Sequence, residues 1–212
     1  MVIESRAVAP FFKNGFVVGC ERTREAVVVD PGDEVEDLVD VVRSRCLRVA
    51  YILLTHGHVD HVTGVARAKQ EFGAPVGLHR DDLALYERAP ELGALFGLRV
   101  VPPPPLDFFY QPGSVLRFGD LEARPHHTPG HCPGGVCLEI GPAGQPGGTL
   151  FVGDTLFAGS IGRTDLPGGD LPTLLRSIRE VLFAFGDDAV VYPGHGPATT
   201  IGEERRSNPF LI

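Results

Sequence analysis

Thr55-His56-Gly57-His58-Val59-Asp60-His61 stands directly after the apolar run Val49-Ala50-Tyr51-Ile52-Leu53-Leu54, and this junction decides how the rest of the chain is read. The run is apolar and too short for an amphipathic helix, so it reads as a buried strand. The loop that leaves it carries three histidines and an aspartate. In a chain of 212 residues with eight His and 14 Asp, these offsets arise by chance in about seven of ten thousand chains of the same composition. Imidazole nitrogen and carboxylate oxygen suit zinc and other divalent metals. A loop can turn several donors toward one point, where a strand sends alternate side chains to opposite faces. Four donors within six residues are too crowded to close one tetrahedral site. The expectation is two neighbouring ions, completed by ligands from elsewhere in the chain.

Outward from this junction, short β-rich runs alternate with helical stretches. Strands are predicted at residues 16–18, 26–29, 49–54 and 76–79, with helices over 35–45, 60–72 and 82–89; Pro102 to Pro105 reads as a rigid surface spacer. In the second half, strands are expected at 114–118, 121–126, 136–140, 149–152 and 189–192, a helix over 171–185, and a loop over 141–148. No linker is long or polar enough to part domains, so one domain over residues 1–212 is expected, built of two packed sheets with helices outside.

Composition narrows the function. With 27 acidic and 19 basic side chains the formal net charge is −8, and the longest basic run is the pair Arg205-Arg206, which speaks against nucleic-acid and anionic-membrane binding. The first residues lack a cationic start followed by an apolar stretch, and no run approaches the ~20 apolar residues of a membrane span. A cytoplasmic protein is expected. Cys20, Cys46, Cys132 and Cys137 show no paired spacing, which argues against a disulfide scaffold or a zinc ribbon.

Further metal donors follow strands or sit in Gly-rich turns: His131 in His127-Thr128-Pro129-Gly130-His131, Asp154 in Val152-Gly153-Asp154-Thr155, and His195 in Pro193-Gly194-His195-Gly196-Pro197. Their common place after strands makes convergence on one sheet edge a reasonable expectation. With Gly162-Arg163-Thr164-Asp165 and the tail Glu204-Arg205-Arg206-Ser207-Asn208-Pro209-Phe210, these motifs make nearly the whole chain resemble the metallo-β-lactamase superfamily. Within it, the resemblance is to short glyoxalase II-like hydrolases.

That resemblance implies an α/β fold, a four-layer αββα sandwich. It implies that His56, His58 and His131 hold one divalent ion, that Asp60, His61 and His195 hold a second, and that Asp154 bridges them. Zinc is the foremost candidate, with iron or manganese as alternatives. His79, His126 and His127 match no ligand position. A metal pair lowers the pKa of a shared water and polarises a carbonyl, so hydrolysis is the expected reaction, with Asp60 orienting the nucleophile and taking its proton. The implied substrate is a small anionic thioester such as S-D-lactoylglutathione, whose thiolate leaves readily. Two departures bear on recognition. Only 17 residues follow His195, so the helical domain that grips glutathione in longer relatives is expected to be missing, and Gly196-Pro197 replaces a tyrosine common after the last metal histidine. Arg163 and Arg205 remain as anchors for substrate carboxylates. Cys132 stands where the family usually has Thr and reads as a small buried residue. The alternatives are a sulfur dioxygenase with one iron on the positions of His56, His131 and Asp154, and a metal-binding module without turnover.

Overall fold

The computed structural model describes residues 1–145 and 147–212. The chain divides into two compact units, one of Met1–Tyr110 with Phe118–Asp120 and one of Gln111–Arg117 with Leu121–Ile212.

In the first unit, β1 (Val2–Arg6), β2 (Gly15–Gly19), β3 (Glu25–Val29), β4 (Arg48–Leu53), β5 (Val76–Leu78) and β6 (Phe108–Phe109) form one sheet in chain order. The first three strands pair antiparallel and β3 to β6 pair parallel. Parallel neighbours need long crossovers, supplied by α1 (Val35–Ser44) between β3 and β4, then α2 (Val59–Val62) and α3 (Val65–Phe72) between β4 and β5. Helices α4 (Leu83–Glu87) and α5 (Ala89–Leu95) precede β6. Residues Ala26 to Val29 are fully buried without alternation, as befits a central strand that is not exposed on either face. Alternate residues Ala26/Val28, Ile52/Leu54 and Val76/Leu78 share a core with Leu38, Val41 and Val42 of α1 and Val62, Val65 and Ala68 beyond it. Each large aliphatic side chain shut away there contributes ~1.5–3 kcal/mol.

This topology brings the carboxyl ends of β3, β4 and β5 to one edge, where ligand sites of open α/β sheets lie. The loops there begin at Asp30, Leu54 and His79. Tyr110, buried, reaches the Leu54 and Gly77 carbonyl oxygens at 3.1 and 3.0 Å and ties two of these strand ends together; burial pushes its phenol well above the ordinary range. The helix expected over 60–72 is two helices. Its break falls at Gly64, where a Cβ would stand 2.3 Å from the Gly32 carbonyl oxygen, because the chain presses against the Pro31–Gly32 loop at that point. A buried ion pair, Lys13 Nζ to Glu34 Oε1 at 2.5 Å, holds the same loop. Glu34 also accepts from the Gly32 N–H at 2.8 Å, and Lys13 donates to the Asp30 carbonyl. The Pro102–Pro105 segment has no regular structure and is fastened by the Tyr86 hydroxyl, which donates to the Pro104 carbonyl at 2.7 Å.

In the second unit, β7 (Leu116–Phe118), β8 (Leu121–His127), β9 (Val136–Pro142), β10 (Thr149–Gly153), β13 (Val190–Pro193) and β14 (Thr199–Thr200) make a sheet of order β14-β13-β10-β9-β8-β7, while β11 (Leu156–Phe157) and β12 (Ser160–Ile161) form a separate hairpin. β10 and β13 run parallel. Helix α6 (Leu171–Glu180) is N-capped by Asp170, which accepts from the Thr173 N–H, and α7 (Ile201–Ser207) by Thr200, which accepts from Glu203 N–H. The helix expected through residue 185 ends at Glu180 and gives way to a 3₁₀ turn, Leu182–Ala184. Leu174, Ile178 and Leu182 pack with Leu150, Val152, Val191 and Ile201. The loop expected over 141–148 begins after Pro142; its residue Pro146 lies outside the described residues. Among the described residues no helix is long and apolar enough to cross a membrane.

Candidate metal centre

In the first unit the four donors of the Thr55–His61 loop gather at the end of β4. His56 and His58 lie in the loop, and Asp60 and His61 in the short helix α2. The His56 ring is 4.9 Å from that of His58 and 4.0 Å from that of His61, centroid to centroid, and His61 Nε2 is 3.8 Å from Asp60 Oδ2. His56 and His61 are buried, His58 and Asp60 partly so.

What orients these rings is Asp30, at the end of the neighbouring strand β3. Its carboxylate accepts from the Thr55 N–H at 2.7 Å, the Thr55 hydroxyl at 2.5 Å and His61 Nδ1 at 3.0 Å. Because the Thr55 hydroxyl gives its proton to Asp30, it faces His56 Nδ1, 3.1 Å away, with a lone pair. Both imidazoles therefore carry their proton on Nδ1 and present the Nε2 lone pair, the form a metal ligand requires. One ligand atom from each of Asp30, His56 and His61 falls within a 4.8 Å cluster.

The second unit gathers the other three donors by different means. Asp154 follows β10 and His195 follows β13; these strands are parallel neighbours with Gly153 opposite Pro193, and the Gly194 N–H donates to the Gly153 carbonyl at 2.8 Å. His131 sits in the turn between β8 and β9, and its Nδ1 donates to the Arg163 carbonyl at 2.8 Å, which again leaves Nε2 as the ligand atom. Gly162 makes that bond attainable. A Cβ there would stand 1.8 Å from the Asp154 carbonyl oxygen, so only glycine lets the chain return so closely before Arg163. His131 Nε2 and His195 Nε2 lie 3.7 and 3.6 Å from Asp154 Oδ2.

These residues fit divalent metal ions. Two donors each ~2.0–2.2 Å from a tetrahedral ion are about 3.4 Å apart, close to the nitrogen–oxygen spacings found in both units. The donor chemistry, imidazole with carboxylate, is that of zinc or iron.

The expected substrate anchors are engaged elsewhere. Arg163 makes a two-pronged contact to Asp165, both bonds 2.7 Å. Arg205 pairs with Asp187 and donates to the Phe183 carbonyl at 2.6 Å. His126 meets Glu139 at 2.8 Å and His127 the Pro133 carbonyl at 2.9 Å, while His79 accepts from the Asp81 N–H at 3.3 Å. Cys132 is fully buried. Reading the sequence missed Asp30; its one signal is an acidic residue closing an apolar run before Pro31-Gly32. The Arg163 carbonyl leaves no signal at all, since any residue supplies one.

Residues 8–195 match the family model described as the Metallo-beta-lactamase superfamily. The chain is 40% identical to the hydroxyacylglutathione hydrolase GloC of Haemophilus influenzae, over 100% of this chain and 98% of that protein. Among solved structures, the BLEG-1 B3 metallo-beta-lactamase superposes with a TM-score of 0.87 at 35% identity, covering 100% of both chains. TTHA1623 in a di-iron-bound form superposes with a TM-score of 0.85 at 38% identity, over 98% of this chain and 100% of that one. The mixed α/β fold is thus that of the metallo-beta-lactamase structures.

Proposed function

The chain belongs to the metallo-beta-lactamase superfamily, and on that premise we propose that it is a cytoplasmic dinuclear metal-dependent hydrolase of small anionic thioesters, of the class of S-D-lactoylglutathione. The observation that carries this reading is the end-to-end similarity to a hydroxyacylglutathione hydrolase.

In this reading His56, His58 and His131 would hold one ion, Asp60, His61 and His195 the other, and Asp154 would serve both. When bound, the pair supplies a water of lowered pKa and polarises the acyl carbonyl. The chain's own groups do the rest. Asp30, directly at His61 and through Thr55 at His56, and the Arg163 carbonyl at His131 keep three imidazoles in the tautomer that presents Nε2. Asp60, partly open to solvent, orients the attacking water and accepts its proton. Arg163 and Arg205 meet the carboxylates of the thiol portion, exchanging their present partners for substrate. A thiolate departs with little protonation, so no separate acid is required.

The di-iron form of one structural relative favours testing iron as the resident metal, and the one-iron dioxygenase alternative is tested beside it. Protein purified without added metal is analysed for zinc, iron and manganese, then assayed for thioester cleavage, persulfide-dependent oxygen uptake and β-lactam hydrolysis. About two metal equivalents with thioester cleavage, lost in His58→Ala, is the expected result. Oxygen uptake that survives His58→Ala, with no thioester cleavage, overturns the reading.

A further inference from the structure

Apart from Arg205, the tail motif Glu204–Phe210 has no part in the chemistry above, yet two of its side chains are among the most deeply buried polar groups of the second unit: Glu204 is 1% exposed and Asn208 0%. Glu204 Oε2 accepts from the Gly159 N–H at 2.9 Å and from Asn208 Nδ2 at 2.7 Å, and its Oε1 from the Thr199 hydroxyl at 2.6 Å. Asn208 spends its second amide proton on the Ser160 carbonyl at 3.0 Å, and its Oδ1 accepts from the Phe210 N–H at 3.0 Å. Both side chains thus grip the tip of the β11–β12 hairpin.

That hairpin cannot place itself, since each strand is two residues long and, among the described residues, pairs only with the other, and an isolated two-stranded ribbon is marginal at best. Its position matters because of what adjoins it. It starts two residues after Asp154, its Phe157 ring stands edge-on to the His195 ring at 6.2 Å, and it ends just before Gly162 and the Arg163 carbonyl that orients His131. One segment therefore adjoins all three candidate ligands of this unit.

We infer that Glu204 and Asn208 are positioning residues for His131, Asp154 and His195, acting through residues 156–163. The inference rests on the metal-binding reading above. A buried carboxylate surrounded by neutral donors is costly unless each bond is made, so each bond removed loosens the grip; a looser hairpin releases the acceptor that fixes the His131 tautomer.

The test uses the whole protein, metal-free and metal-loaded. In folded Asn208→Ala without metal, amide exchange at Gly159 and Gly162 should accelerate about tenfold or more and the His131 Nδ1 proton should lose its protection, while Leu138 and Leu150 in the sheet exchange as in wild type. Zinc affinity, read by chelator competition, should fall about tenfold or more, the usual effect of losing an orienting partner. Glu204→Gln should stay close to wild type, because its carbonyl can still accept from Gly159 and Asn208 while its amide donates to the Thr199 hydroxyl. If Asn208→Ala does not fold, Thr199→Val, which removes one bond to Glu204, should show the same pattern more weakly. Unchanged exchange and affinity, or exchange that quickens equally throughout the sheet, overturns the inference. If wild type binds no metal, the functional reading fails, and the exchange measurements on metal-free protein still decide whether the tail holds the hairpin and the His131 proton.

Discussion

Asp30 Oδ2 lies 3.0 Å from His61 Nδ1, with both side chains shut off from water. The same carboxylate receives the Thr55 N–H through its other oxygen, which gives one substitution a sharp consequence. In Asp30→Asn, the Thr55 N–H keeps the amide oxygen in place and turns the NH₂ toward His61. The imidazole must then accept at Nδ1 and carry its proton on Nε2, where a ligand needs a lone pair. Metal affinity should drop about 10–100-fold, with the fold retained. Elemental analysis after dialysis, beside circular dichroism, checks this, and full metal content in the folded variant would refute the tautomer argument.

Lys13 and Glu34 form an ion pair 1–2% exposed. Removing one partner strands the other as an uncompensated buried charge, so Lys13→Met should cost about 3–5 kcal/mol. Lys13→Met with Glu34→Gln should recover most of that loss, since the amide oxygen still accepts from the Gly32 N–H. Urea melts of the two variants give the comparison; equal destabilisation would mean that the charge is not the cause.

Asp154→Asn keeps the shape of the side chain that His131 and His195 face at 3.7 and 3.6 Å and removes its charge. In the proposed reading it holds two cations together, so metal stoichiometry should fall from about two toward one. A folded variant with both equivalents bound would show that Asp154 does not bridge.

Arg163 holds the Asp165 carboxyl down to about 2, by hydrogen bonding foremost. In Arg163→Ala the carboxyl should titrate near the ordinary ~3.9, as a carbon-detected NMR titration would show. A depressed carboxylate pKa adds stability above the unfolded value and loses it as pH falls through the folded one. Whatever the pair adds is therefore lost between about pH 4 and 2, and its exposure makes that contribution small. If Arg163 also binds substrate, Asp165→Asn frees its guanidinium and should lower KM for the glutathione thioester, leaving a neutral thioester unaffected.

Cys46 is exposed, whereas Cys132 and Cys137 are fully buried; burial beside Glu139 pushes the Cys137 thiol far up. Iodoacetamide at pH 8 should label Cys46 within minutes and leave Cys132 and Cys137 intact until the protein is denatured. Mass spectrometry of the peptides reads this directly, and rapid labelling of Cys137 would contradict its placement in the core.

Most central strands and helix α1 were legible from apolar runs and helical periodicity, because buried elements carry those patterns. The elements that escaped were β1, β6, β11, β12, β14, α5 and α7. β6, β11, β12 and β14 are two residues long and owe their existence to pairing with a neighbour. β1 is an edge strand whose half-exposed residues show no clean alternation. The break at Gly64 escaped as well, since the Pro31–Gly32 loop that causes it lies some thirty positions earlier.

The donor chemistry and about half of its arrangement are already written in the order of the residues. His56, His58, Asp60 and His61 are held near one another by a few covalent bonds and a loop, so their proximity is local and readable. Tertiary structure alone decided the remainder. Asp154 and His195 stand 41 positions apart in the chain and meet because β10 and β13 pair in parallel. Asp30 reaches His61 across 31 positions because β3 and β4 end side by side. His131 takes its tautomer from a backbone carbonyl that no residue type announces. Such contacts depend on which strands pair and in what register, and that is settled by burial over the whole sheet.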